Sequence, residues 1–156
     1  MAYKKLNLEH HVARNISKQR WRVVNGKPIV LQQAFKLRPK EKLSPGKNNK
    51  DETSLSCAWN EYFSGSLIDQ TKRCLDAMVN GGLVVRQTNA IAVCNVGMLE
   101  GCGKNHKLSI KAFHKPNAKN PAKAGIDGMR IDNQSDDLLS EIASTAVVMC
   151  VKVVDL

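Results

Sequence analysis

Asn80-Gly-Gly-Leu-Val-Val-Arg-Gln-Thr-Asn-Ala-Ile-Ala-Val-Cys-Asn-Val96 is the stretch in which the hydrophobic period of the chain changes. Before it, Ser66 reads as the N-cap of a helix running to about Val79. That helix would carry Leu67, Ile68, Thr71, Cys74, Leu75 and Met78 on one face. Asn80-Gly-Gly82 stops it, as glycine does where a chain must leave a helix. After the glycines, Leu83-Val-Val85 and Ile91-Ala-Val-Cys-Asn-Val96 are short and rich in β-branched residues, and both read as strands.

Leu108-Ser-Ile-Lys-Ala-Phe113 alternates apolar and polar residues, as a half-buried strand does. Between these strands, 97–107 is rich in glycine and reads as a hairpin-like connection. Residues 114–134, rich in Pro, Asn and Gly, read as irregular. Ser135-Asp-Asp-Leu138 starts a helix that ends near Ala143 and Ser144, with two acids at its positive end. Residues 146–154 read as a buried final strand. Upstream, Leu55-Ser-Cys-Ala-Trp59 is a short apolar segment, and 39–53 is a charged loop with two prolines, expected to be mobile. Asn25-Gly26 is a hairpin signal between Val23-Val24 and Pro28-Ile-Val-Leu31. The alternative is a turn followed by one long strand to about Arg38. Leu8, Val12 and Ile16 fall four residues apart, which predicts a basic helix over 6–20.

Helices and strands are therefore mixed without regular β-α-β alternation. The expected fold is α+β: a single domain with a largely antiparallel sheet, two or three helices and a basic N-terminal helix. Residues 1–38 would form a basic helix and hairpin within the same fold, 39–53 the loop, and 54–156 the α+β core.

Charge is distributed unevenly over this plan. Of the 24 Lys and Arg, 13 lie in residues 1–50, against Glu9 and Glu41 only, so the whole-chain charge of +10 belongs to that segment. Such a field attracts polyanions, nucleic acid above all. No apolar run approaches a membrane span, and Met1-Ala-Tyr-Lys-Lys5 lacks the apolar block of a secretory signal, so a cytoplasmic, non-membrane protein is expected. The five cysteines, odd in number and scattered, are expected to be reduced and mostly buried.

Motifs for specific chemistry are weak. Cys94, Cys102, His106 and His114 are spaced too widely for a zinc site, and adjacent His10 and His11 would point apart on a helix, so no metal is expected. Gly97-Met-Leu-Glu-Gly-Cys-Gly-Lys104 lacks the Ser or Thr of a phosphate loop, and no cofactor is expected. His114 could act as acid or base near neutral pH, or it could join Asn120 in holding the proline-rich loop; the second reading is favoured. Trp21, between Arg20 and Arg22, suits either base stacking or anchoring to the core.

Three segments, Leu55-Ser-Cys-Ala-Trp59-Asn-Glu-Tyr-Phe63, Ile91-Ala-Val-Cys-Asn-Val-Gly97 and His114-Lys-Pro-Asn-Ala-Lys-Asn-Pro-Ala-Lys-Ala-Gly-Ile126, together resemble a group of small bacterial proteins. These share ordered LSxxW, AVxNVG and HxPxxxNPxHxxI patterns. The resemblance spans about 35–143 and implies a compact single domain without an established activity. Lys123 stands where the pattern has its second His.

The favoured function is a nucleic-acid-associated binding module, or an accessory subunit of a bacterial nucleic-acid-processing or defence system. Contacts would come from Lys4, Lys5, Arg14, Lys18, Arg20, Trp21, Arg22, Lys36, Arg38, Lys40 and Lys42. The alternatives are a small enzyme acting on nucleotide or nucleic acid through Arg38, Ser56, His114 and Asn120, and a protein-interaction subunit that docks on an acidic partner.

Overall fold

The computed structural model describes residues 2–43 and 50–156. The central part of the expected 39–53 loop thus lies outside the described residues. The elements in order are strands β1 (Lys4–Lys5), β2 (His11–Ile16), β3 (Trp21–Val24), β4 (Lys27–Val30) and β5 (Ser54–Trp59), helix α1 (Leu67–Asn80), strand β6 (Ala90–Asn95), helix α2 (Val96–Asn105), strands β7 (Lys111–His114) and β8 (Lys123–Asp127), helix α3 (Asp136–Glu141) and strand β9 (Val147–Lys152). Seven strands form one sheet in the order β1-β7-β8-β5-β2-β6-β9, with every neighbouring pair antiparallel; β3 and β4 form a separate hairpin. The α+β class with a largely antiparallel sheet is therefore what the chain adopts. No helix among the described residues is long and apolar enough to cross a membrane.

The sheet is covered on both faces. Ala13, Ala58, Ile91 and Val93 pack under α1 through Cys74 and Met78. Val12, Ile16, Leu55, Cys57, Ala92 and Cys94 pack against Leu99 of α2, Leu138 and Leu139 of α3, and Phe35 and Leu37. Strand β6 alternates between these two cores, so all of Ala90 to Cys94 is buried.

The local signals hold where chemistry within a few residues decides them. Ser66 Oγ accepts from the Asp69 N–H (3.2 Å) at the start of α1, and Ser135 Oγ accepts from the Leu138 N–H (3.2 Å) at the start of α3. Asn25 and Gly26 take φ of 51° and 77°, the left-handed pair that lets a two-residue turn follow the twist of a hairpin.

Five expectations are corrected. Residues 6–20 contain no helix: they form a turn, strand β2 and a 3₁₀ turn at Lys18–Arg20. Positions 8, 12 and 16 are multiples of two as well as of four, so helix and strand periods both fit them. Strand pairing decides, because β2 is buried on both faces between β5 and β6. Residues 83–85 are not a strand, since both edges of β6 are already occupied by β2 and β9. Residues 97–105 belong to α2, whose cap is Asn95 Oδ1 accepting from the Met98 N–H (2.9 Å). Gly97 and Gly103 serve close packing rather than turning: a Cβ on either would lie 2.9 Å from a carbonyl oxygen, that of Leu8 or of Leu108. The irregular region expected at 114–134 holds β8, an inner strand of the sheet. The final strand is β9 alone, a half-buried edge rather than a buried strand.

Candidate nucleic-acid interface

The basic residues do not share one helix face. Lys4 and Lys5 form the edge strand β1, Lys18 and Arg20 sit in the 3₁₀ turn, Arg22 follows in β3, and Lys36, Arg38, Lys40 and Lys42 lie on the segment after a second 3₁₀ turn, Gln32–Phe35. Among the described residues, only Lys5 and Arg38 of this set have a carboxylate within ion-pair distance. Lys5 Nζ is 3.5 Å from Glu100 and Arg38 Nε 3.2 Å from Glu52. The positive charge of this segment is therefore largely unneutralised within the fold.

Two expected contact residues are structural. Trp21 is 5% exposed and donates its indole N–H to the Thr88 carbonyl (3.2 Å), while Lys18 Nζ sits 3.8 Å from its ring centroid. Its ring anchors the hairpin to the core and offers no face to a base. Arg14 points inward where β2 and β5 part: their pairing ends at Ala13 and Ala58. The guanidinium enters that gap, with Nε donating to the Ala34 carbonyl and Nη1 to the Ser56 carbonyl, each at 2.8 Å. It supplies hydrogen bonds that a continued ladder would have made.

These bonds bring three arginines together. The segment carrying Ala34 continues to Arg38, and the strand carrying Ser56 is preceded by Glu52, which accepts from the Arg38 N–H, Nε and Nη2. Arg20 lies within electrostatic range of Arg38 and Glu52, and its backbone is held by its carbonyl accepting from the Leu31 N–H (2.9 Å). Burial lowers the Arg14 pKa from its usual value; Cys57 and Glu52 oppose this, and Arg20 and Arg38 add to it. Burial also lowers that of Arg20, reinforced by Arg38 and opposed by Glu52. The three guanidinium groups thus lie within electrostatic range of one another, and of the three only Arg38 pairs with Glu52.

A second cluster occupies the end of the sheet where β1, β5 and β7 finish. Lys4 pairs with His114, His114 with Ala124, and Ala124 with Cys57, two residues before Trp59, so Lys4, His114 and Trp59 lie on one face. The Trp59 ring is 5.1 Å from His10, 5.0 Å from His114 and 6.2 Å from Tyr62, centroid to centroid, and Lys4 Nζ is 5.3 Å from it. Next to it, Glu61 accepts from the His11 backbone N–H and bonds His11 Nδ1, both at 2.7 Å. Burial acts to raise the Glu61 pKa, but the His11 hydrogen bonds and charge outweigh it and the net shift is downward.

The four candidates for catalysis do not meet. Ser56 faces away from His114, because it pairs with Gly125 whereas His114 pairs with Ala124. His114 Nε2 donates to the Pro121 carbonyl (2.7 Å), and Asn120 Oδ1 accepts from the Ala122 N–H (3.0 Å), so both hold their loop. Arg38 pairs with Glu52. A groove of about 780 Å³ lies between β4 and β9, and another of about 380 Å³ beside α2; none of the four lines either. Of the widely spaced Cys and His set, Cys102 Sγ contacts Thr145 Oγ1 (3.2 Å) and His106 pairs with Glu141 (3.3 Å), while Cys94 is buried in the core.

No single segment of the sequence signals the Trp59 cluster. Its members are separated by up to about a hundred positions, and only the segments around Trp59 and His114 were distinctive in themselves. Comparison with protein-family models, curated proteins and solved structures found no match to the chain.

Proposed function

We propose that the chain is a nucleic-acid-binding module of the cytoplasm that grips phosphates. The largely unneutralised positive charge of residues 4–42, in which Arg14, Arg20 and Arg38 lie close enough to act on one another's charge, carries this reading. Like charges held together repel, and an arriving phosphate relieves that repulsion while accepting from the planar forks of the guanidinium groups. Arg14 is committed to carbonyls and acts as a fixed charge, so Arg20 and Arg38 make the contacts. Lys18, Arg22, Lys36, Lys40 and Lys42 extend the positive field around them. A role as accessory subunit of a bacterial nucleic-acid-processing or defence system is the wider form of the same proposal, to which the sequence resemblance adds no activity.

The test is salt-titrated fluorescence anisotropy with single-stranded DNA, RNA and polyglutamate. Wild-type protein binds the nucleic acids, and log affinity falls linearly with log salt. Arg20→Ala and Arg38→Ala each reduce that slope by about one. Absence of nucleic-acid binding at about 50 mM salt, a concentration at which phosphate contacts are strong, refutes the reading. Equal or tighter binding of polyglutamate would instead support docking on an acidic protein.

A further inference from the structure

The chain has only three Phe, two Tyr and two Trp, and three of these seven residues, Trp59, Tyr62 and Phe63, gather at one end of the sheet. Two of its four histidines, His10 and His114, join them, although His10 belongs to the turn before β2 and His114 ends β7. Tyr62 is 42% exposed and packs on Trp59, Phe63 and His114 at once. Trp59 and Phe63 are half-buried against the two cores, so Tyr62 is the member of the group that presents its ring to water. The buried indole N–H of Trp59 has no hydrogen-bond partner among the described residues, an uncommon state for a buried donor.

The two imidazoles are set as opposites by their backbone contacts. The Pro121 carbonyl can only accept, so His114 Nε2 carries the proton and a neutral ring leaves Nδ1 as an acceptor. His10 Nδ1 accepts from the Asn7 N–H (3.1 Å), which leaves Nε2–H as a donor. One ring thus keeps an acceptor nitrogen and the other a donor. Lys4 above the indole makes the cluster unsuitable for a cationic ligand, which an aromatic cage without it would favour. A planar, anionic ligand fits all three features.

We propose that His10, Trp59, Tyr62 and His114 form a stacking site for an unpaired base of single-stranded nucleic acid, with Lys4 beside it for a backbone phosphate. This rests on the phosphate-binding reading above and narrows its partner to single strands, because a base inside a duplex presents no free face. Stacking on aromatic rings tolerates any base and adds affinity that salt does not screen.

The experiment compares a labelled oligothymidylate with an abasic chain of the same length, which keeps the phosphates and lacks the bases; oligouridylate provides the RNA arm. Wild-type protein prefers the base-bearing chain, in either arm, by roughly tenfold. Tyr62→Ala, at an exposed position, brings the two affinities together and leaves the abasic affinity and the salt slope unchanged. Intrinsic tryptophan fluorescence of the wild type is quenched by oligothymidylate and not by the abasic chain, a readout that needs no variant. Equal affinity for the two chains, with no selective quenching, overturns the stacking site while phosphate binding stands. Binding of neither chain overturns both readings.

Discussion

Replacing Arg14 separates a structural cation from a surface one. Arg14→Ala removes two hydrogen bonds of 2.8 Å and leaves the Ala34 and Ser56 carbonyls without that donor in the gap between β2 and β5. A hydrogen bond from a charged donor contributes about 1.5–3 kcal/mol, so the pair supplies roughly 3–6 kcal/mol. Removing a guanidinium that burial has desolvated returns part of this, and water entering the gap returns more. The expected net loss is about 3 kcal/mol, at the upper end of ordinary single-residue effects. Arg14→Lys keeps the charge, but one ammonium cannot reproduce the fork to two carbonyls, so an intermediate loss is expected. Exposed Arg22 is the control, and Arg22→Ala should stay within about 0.5 kcal/mol of wild type. Urea unfolding followed by circular dichroism measures all three. An Arg14→Ala protein as stable as the Arg22→Ala protein, but defective in binding oligonucleotide, would show that Arg14 is a surface contact and that the gap needs no donor.

Gly128 leaves β8 with φ of 114°, and a Cβ there would lie 2.1 Å from the Ser109 carbonyl oxygen; Gly128→Ala should therefore abolish the stable fold, read as loss of a cooperative urea transition. Glu61 has a depressed pKa in the folded protein, so its stabilising contribution is complete above the unfolded carboxylate value, about 4.3, and is lost as pH falls through the lower folded value. Glu61→Gln should thus be less stable than wild type at neutral pH, with the gap closing under strong acid; a gap independent of pH would contradict this. Burial pushes the thiols of Cys57 and Cys74 up to about 12 and that of Cys150 to about 11, and raises Cys94 and Cys102 as well. A thiolate-specific disulfide reagent at pH 8 should label the native protein slowly and all five cysteines rapidly in denaturant; fast native labelling would refute the packing around them.

Features whose physics is local are legible in the order of the residues. Ser66 and Ser135 each bond an N–H three residues on, and Asn25-Gly26 adopts left-handed angles with little strain, so composition over four or five residues was enough. The short apolar run at 91–96, the α+β class and the excess of positive charge before position 51 are legible for the same reason. Tertiary structure decided whatever depended on a distant partner. Residues 8, 12 and 16 suit helix and strand alike until β5 and β6 claim β2, and residues 83–85 fail as a strand because β6 has no edge left to offer. Glycines 97, 101 and 103 resembled a turn until the approach of Leu8, Leu108 and Ile110 explained the tight packing at 97 and 103. The two clusters lie furthest from local reading. Arg14 enters the gap where two strands part, and His10, Trp59, Tyr62 and His114 meet because β5 and β7 end where β1 and β2 begin. Hydrogen-bond register across a sheet joins residues a hundred positions apart, and no pattern within a single strand records its neighbours.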